Sequence, residues 1–267
     1  PYATRLPELS ETDRVEAMRL CEKALKHPAR LDDAELARLR KFYALEVRHL
    51  DRSLGELFRF LQDNGLWDET AVFLTSDHGQ AFGEHGTCFH GDVLYEELIR
   101  VPLIVKAPCS GTVGRRALVS LIDLAPTICE AGGVEPSPSF EGRSMLAGPE
   151  RDVVFAETAY RAFVSDSPRV VAARTVRWKL IRNEERNKTE LYDLEADPEE
   201  KRDLSRERPE QLAHMRRLLE SHMRRRRPHE QRPADEPKPA ESTDRETLQA
   251  RLRALGYMDE ADRQEKD

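Results

Sequence analysis

The chain has 267 residues, of which 35% are charged and 39% hydrophobic, with a formal net charge of −7. That length can bury a sizeable core as one large domain or two ordinary ones. The acidic balance argues against a dedicated nucleic-acid binder, and no run approaches the roughly 20 consecutive apolar residues that span a bilayer.

The opening Pro-Tyr-Ala-Thr-Arg has neither an initiator Met nor a basic-then-apolar leader, and it reads as the interior of a longer protein, which leaves the compartment unread. Residues 1–31 are polar and carry Pro1, Pro7 and Pro28, so a loop with a short helix over 14–25 is expected. From Asp32 onward Leu36, Leu39, Tyr43, Val47, Leu50, Leu54, Leu57 and Leu61 recur every three or four residues, one stripe of a long amphipathic helix. Asp32 and Glu35 have capping-box spacing, and Asn64-Gly65 supplies a left-handed stop.

Residues 70–75 form a short apolar run rich in β-formers, as in a strand buried on both faces of a parallel sheet. Residues 101–106 read as a second such strand and 118–122 as a third, shorter one, before a helix over 124–131 that Gly132-Gly133 ends. Alternating helices and strands predict an α/β sheet, mostly parallel and flanked by helices, over residues 1–149. Beyond Pro149 the short β-like runs 153–156, 170–173, 178–182 and 190–194 have no helix between them, which predicts a small antiparallel sheet. An amphipathic helix over 209–223 closes this 150–223 segment. Residues 224–267, with four consecutive arginines and then prolines among polar residues, read as a disordered linker. Leu248, Leu252 and Leu255 make one short terminal helix within it. The arginine run reads as a solvated helix end that the dipole favours. The triplet Asn187-Lys188-Thr189 is taken as a chance glycosylation sequon. Cys21, Cys88, Cys109 and Cys129 are scattered with no CxxC spacing, which favours free thiols over disulfides.

The stretch that carries chemistry is 73–91, FLTSDHGQAFGEHGTCFHG. Its strand ends abruptly in Ser76-Asp77-His78-Gly79, and open α/β sheets build ligand sites at the carboxyl ends of their strands. Asp77 offers a hard anionic oxygen and His78 a neutral nitrogen, a pair able to chelate a divalent cation. His85 and His90 follow between Gly83, Gly86 and Gly91. The bland alternative is a polar surface loop. The residues alone support a metal-assisted site with the reaction left open.

The run SDHGQAFGEHGTCFHGDVLYEELIRVPLIV resembles the sulfatase stretch SDHGE-x-x-GEHG followed by a His or Lys and LYEE-x-x-RVPLIV. The resemblance continues in order through Asp123-Leu124-Ala125-Pro126-Thr127, Lys179-Leu180-Ile181, Leu191-Tyr192-Asp193-Leu194 with Asp197-Pro198, and Arg253-Ala254-Leu255-Gly256-Tyr257. It implies an alkaline-phosphatase-like α/β domain with a small C-terminal antiparallel sheet, in an enzyme that hydrolyses sulfate esters. It implies Asp77 and His78 as the second half of a metal site, with calcium expected and Mn2+, Mg2+ or Zn2+ as substitutes. It implies His90 as a catalytic residue that contacts the sulfate or the leaving oxygen. Gln80 stands where relatives often have Glu, and Asp92 where they often have a second His. His85 matches a frequent family position without an assignable role.

The family's nucleophile motif, C/S-x-P-x-R, is absent from all four cysteine contexts. The expectation is therefore the C-terminal part of a sulfatase, inactive without an N-terminal half that carries the nucleophile and two more aspartate ligands. That half and a sulfate-ester substrate are its expected partners, with no nucleic acid. A phosphoesterase or phosphonate hydrolase of the same superfamily, and a non-catalytic binding fragment, are the alternatives.

Overall fold

The computed structural model describes residues 9–91, 93–107, 118–146, 151–158, 169–184 and 186–225. The chain divides into two units, Pro1–Ser221 and His222–Asp267, and the site lies in the first. Asp92, Cys109, the expected linker and the terminal helix at Leu248–Leu255 lie outside the described residues. Cys21, Cys88 and Cys129 are free thiols. Among the described residues no helix is long and apolar enough to cross a membrane.

Helix α1 spans Glu11–Lys26, with Ser10 as N-cap accepting from the Asp13 amide, acidic residues in its first turn and lysines in its last. Helix α2 spans Asp33–Asp63, and the Asp32/Glu35 capping box forms in both directions. Gly65, at φ 69°, ends it as the sequence predicts, with the Leu66 amide reaching back to the Leu61 carbonyl. Ala17, Leu20 and Ala24 of α1 pack with Leu39 and Phe42 of α2 into one core. Of the rest of the predicted stripe on α2, Leu36, Leu54 and Leu61 are half-buried, whereas Tyr43, Val47, Leu50 and Leu57 are exposed.

Strand β1 (Val72–Thr75) is followed by a tiny hairpin of β2 (Ala81–Phe82) and β3 (Cys88–Phe89), the single-turn helix α3 (Glu96–Ile99) and strand β4 (Leu103–Lys106). Here the structure corrects the expectation of a parallel pair: β1 and β4 run antiparallel, with Thr75 opposite Leu103 and Val72 opposite Lys106. A parallel partner needs a crossover, usually helical, that returns the chain to the starting edge. Between β1 and β4 the chain holds only the hairpin and α3, so β4 starts at the end where β1 stopped.

The third expected strand, 118–122, is also corrected. Leu118 makes a single bridge to Arg151, and Leu121–Asp123 is a 3-10 turn leading into α4 (Leu124–Ala131). The Asp123 carboxylate explains this. It is buried, accepts from the Ser120 and Arg143 amides, and pairs with Arg151, so the segment starts a helix and does not extend a sheet.

The C-terminal sheet is a four-stranded antiparallel meander of β5 (Val154–Thr158), β6 (Val170–Arg174), β7 (Trp178–Asn183) and β8 (Lys188–Asp193). Helix α5 (Pro209–Arg225) follows. Val170, Ala172, Ile181 and Tyr192 form a core with Leu94 and Tyr95, from the segment just after the chemical stretch. The same strands carry a buried polar cluster. Lys179, with no exposed side-chain surface, stands 3.1 Å from Glu96 and 2.8 Å from Glu200, and Glu96 also binds Arg174.

Candidate active site

Asp77 and His78 follow directly from the carboxyl end of β1, on the edge where β4 begins. Gly79 donates its amide to the Leu98 carbonyl at 2.8 Å, and a Cβ there would lie 2.0 Å from the Glu97 carbonyl oxygen. The glycine is thus required by the close approach of α3. Asp77 leaves 78% of its side chain exposed and His78 43%, so both groups face an open space. That space is a cleft of about 1310 Å³ whose walls include Asp77, His78, His90, Arg100, Phe155 and Arg177.

The rings of His78 and His90 lie 3.9 Å apart, tilted by 32°. His78 Nδ1 sits 2.8 Å from the Gly79 carbonyl and must donate to it, which leaves the Nε2 lone pair free. His90 Nδ1 likewise donates to Gln80 Oε1 at 2.9 Å, freeing its own Nε2. Burial, together with the neighbouring His78, pushes the His90 pKa down, and Asp77 offsets this only in part. The unprotonated ring is thereby favoured. Gly91, at φ 123°, takes the chain away from it, and Thr158 of β5 donates to the Gly91 carbonyl at 2.5 Å.

His78 Nε2 lies 3.5 Å from Asp77 Oδ2, too far for a good hydrogen bond. Two ligands held about 2.3–2.6 Å from one ion at right angles stand roughly 3.3–3.7 Å apart. The pair therefore fits a divalent cation as two adjacent ligands. Among the described residues no group of three or more His, Cys, Asp or Glu side chains converges as a complete cage. The donors on this chain fit part of a site.

His85 lies apart from this group. Its Nδ1 is 2.9 Å from Glu97 Oε1, its Nε2 3.0 Å from the Glu200 carbonyl, and its ring stacks on Tyr95 at 3.6 Å. Both nitrogens are occupied, so neither is free as a ligand. Sequence reasoning missed two further features. Gln80 fixes the His90 tautomer, which its place two residues from His78 did not disclose. Arg100 is, among the described residues lining the cleft, the one cation without a carboxylate partner, since Arg174 pairs with Glu96 and Arg177 with Asp193. Its motif context, RVPLIV, was the available signal.

The family model described as sulfatase matches residues 1–134, half of the chain. The chain belongs to the sulfatase family. A second model, N-sulphoglucosamine sulphohydrolase C-terminal, matches residues 83–229 of this sulfatase chain. A choline-sulfatase of Rhizobium meliloti (strain 1021) is 32% identical over 173 residues, 62% of this chain and 33% of the relative. The multifunctional alkaline phosphatase superfamily protein PehA of Trinickia caryophylli is 35% identical over 122 residues, 44% of this chain and 23% of that protein. The structure of BT4656 in complex with its substrate D-glucosamine-2-N,6-O-disulfate superposes with a TM-score of 0.63 and 25% identity, covering 83% of this chain and 48% of the other. The sulfatase chain thus has the alkaline-phosphatase-like fold of its neighbours, including the small antiparallel sheet. It spans about a third or less of the length of these two curated relatives and about half of that solved chain.

Proposed function

We propose that this chain supplies one half of the active site of a metal-dependent sulfuric ester hydrolase. The observation that carries the reading is the convergence of Asp77, His78 and His90 at the carboxyl end of β1, in an open cleft of a sulfatase-family chain. Asp77 Oδ2 and His78 Nε2 are two of the ligands of a divalent cation, calcium before Mn2+, Mg2+ or Zn2+, because the exposed carboxylate is a hard donor. When bound, the ion polarises the ester as a Lewis acid. His90 presents Nε2 to the substrate, with Gln80 holding its other nitrogen. A neutral ring accepts a proton or a hydrogen bond at Nε2, and an anionic ester beside it would favour protonation and donation to the leaving oxygen. Arg100 is the cation available to the ester's anionic group.

Neither the nucleophile nor the remaining carboxylate ligands are among these residues. No cysteine stands in a C-x-P-x-R context, and the chain spans only part of its relatives. We therefore assign them to sequence outside the 267 residues, together with any parallel strands that would extend the β1–β4 ladder. A second reading is hydrolysis of phosphate or phosphonate esters, and similarity to a multifunctional member of the alkaline phosphatase superfamily favours its phosphate arm. The test is calcium-dependent turnover of aryl sulfate against aryl phosphonate by the complete protein. A higher kcat/KM for the phosphonate would replace the first reading with the second.

A further inference from the structure

Among the described residues, two of the site loop and one distant residue hold left-handed backbones without being glycine or asparagine: His85 at φ 51°, Phe89 at φ 66° and Glu200 at φ 54°. Such conformations are uncommon for these side chains and persist only where the surroundings enforce them. Two of them meet. His85 Nε2 donates to the backbone carbonyl of Glu200, 115 residues away in sequence, at 3.0 Å.

Each side of that bond is anchored separately. The Glu200 carboxylate accepts the Glu96 amide at 2.6 Å and stands 2.8 Å from Lys179 in the interior of the C-terminal sheet. The other ring nitrogen of His85 meets Glu97, and the ring face lies on Tyr95 with an interplanar angle of 8°. Glu97 and the Glu200 carbonyl thus each face one ring nitrogen of His85. Between His78 and His90 the chain folds as a two-residue hairpin. Among the described residues, it rests Phe82, Cys88 and Phe89 on the α1–α2 core and receives Arg40 at the Phe82 carbonyl and at Glu84, but has no such packing against the C-terminal sheet. A hairpin that short does not fix a loop in water by itself.

We infer that His85 is a positioning residue: bridging Glu97 and the Glu200 carbonyl, it ties the site loop to the C-terminal sheet and so sets His90 against His78. Its assigned purpose rests on the functional reading of Asp77, His78 and His90. The mechanical claim does not. His85, Glu97 and Glu200 are not among the residues that line the cleft, so His85 acts through the path of the backbone from Gly83 to Gly91.

The test uses the full chain and nuclear magnetic resonance. His85→Asn keeps a residue that tolerates the left-handed backbone but is too short to bridge both acceptors. Glu97→Ala removes the other pole of the bridge. The readouts are the ring-proton shifts of His78 and His90, which the 3.9 Å stack displaces, and amide exchange in residues 79–91 against that in the sheet, residues 170–193. In His85→Asn the ring shifts are expected to move to free-imidazole values and loop exchange to accelerate about tenfold or more, with sheet exchange unchanged; Glu97→Ala changes both in the same direction by less. Unchanged loop exchange and ring shifts in His85→Asn would overturn the proposal. So would equal loss of sheet protection in both variants, because His85 would then be a general stability element. Wild-type rings without the stacking shift would remove the assigned site, while the dependence of loop exchange on His85 would still decide the strut.

Discussion

Asp77 and His78 differ from His90 in what surrounds them, and that difference sets what each variant does. The Asp77 carboxylate is largely exposed and accepts the His78 amide at 2.9 Å through Oδ1, leaving Oδ2 beside the imidazole. In the complete protein Asp77→Ala is expected to remove bound metal, measured by atomic emission, along with nearly all turnover. His90→Ala is expected to keep the metal and lose about 100-fold or more in kcat, the usual range for removal of an acid–base group. Equal metal loss in the two variants would make His90 a ligand. Arg100→Ala should act on KM more than on kcat, since a cation that binds the ester's resident charge contributes to ground state and transition state alike.

At the level of elements, the C-terminal sheet is joined to the chemical segment through the ion cluster of Glu96, Arg174, Lys179 and Glu200. Lys179 sits on β7 opposite Tyr192, and its ammonium lies between two carboxylates with no exposed side-chain surface. Lys179→Ala would strand those carboxylates in the interior, a loss of about 3–5 kcal/mol by analogy with other broken buried pairs, measured by urea unfolding. The two acids titrate in opposite senses. Burial raises the Glu96 pKa, but Lys179 and Arg174 outweigh it and hold the carboxyl below the ordinary glutamate value of 4.5. Glu96 therefore contributes stability above that pH and loses it as the pH falls through its depressed folded value. Burial pushes Glu200 above the same value, more than Lys179 restores, so its contribution is full below pH 4.5 and fades as the pH rises through its folded value. Acidification then removes one contribution while the other recovers. Glu200→Gln removes the recovering partner and is expected to abolish the gain in stability on acidification toward pH 4.5, leaving the Glu96 loss below it, read from unfolding midpoints on either side of that pH.

For the molecule as a whole, the donor count dominates. Hard-cation sites use about six oxygen-type ligands, with water filling gaps, and the site proposed on this chain would contribute one carboxylate and one imidazole. Residues 1–267 alone are expected to bind calcium weakly and to show no turnover of a chromogenic aryl sulfate. Turnover comparable to that of the complete protein would require a nucleophile among the residues described. The exposed stripe of Tyr43, Val47, Leu50 and Leu57 on α2 belongs to the same account. Leu50→Ser should be near neutral in this chain and destabilising by roughly 1.5–3 kcal/mol in the complete protein, if that stripe is covered there.

Much of this was decided by sequence alone, wherever the signal was local. The α2 capping box, the Gly65 stop, the four strands of the C-terminal meander and the α5 helix are each specified by residues within a few positions of one another, so periodicity and end signals suffice. The place of Asp77, His78 and His90 near a strand end was legible for the same reason, since the strand and the three side chains lie within one short segment. Tertiary structure decided what depends on distant partners. The direction of β4 follows from where the connecting chain lies, and Leu118 failed to extend a sheet because Asp123 found Arg151 and two backbone amides. The requirement for Gly79 comes from the Glu97 carbonyl, and the role of His85 from the carbonyl of Glu200 in the segment that follows β8. A hydrogen bond or a steric contact across more than a hundred residues leaves no periodic trace in the sequence, because its strength depends on distance in space, which only the folded chain fixes.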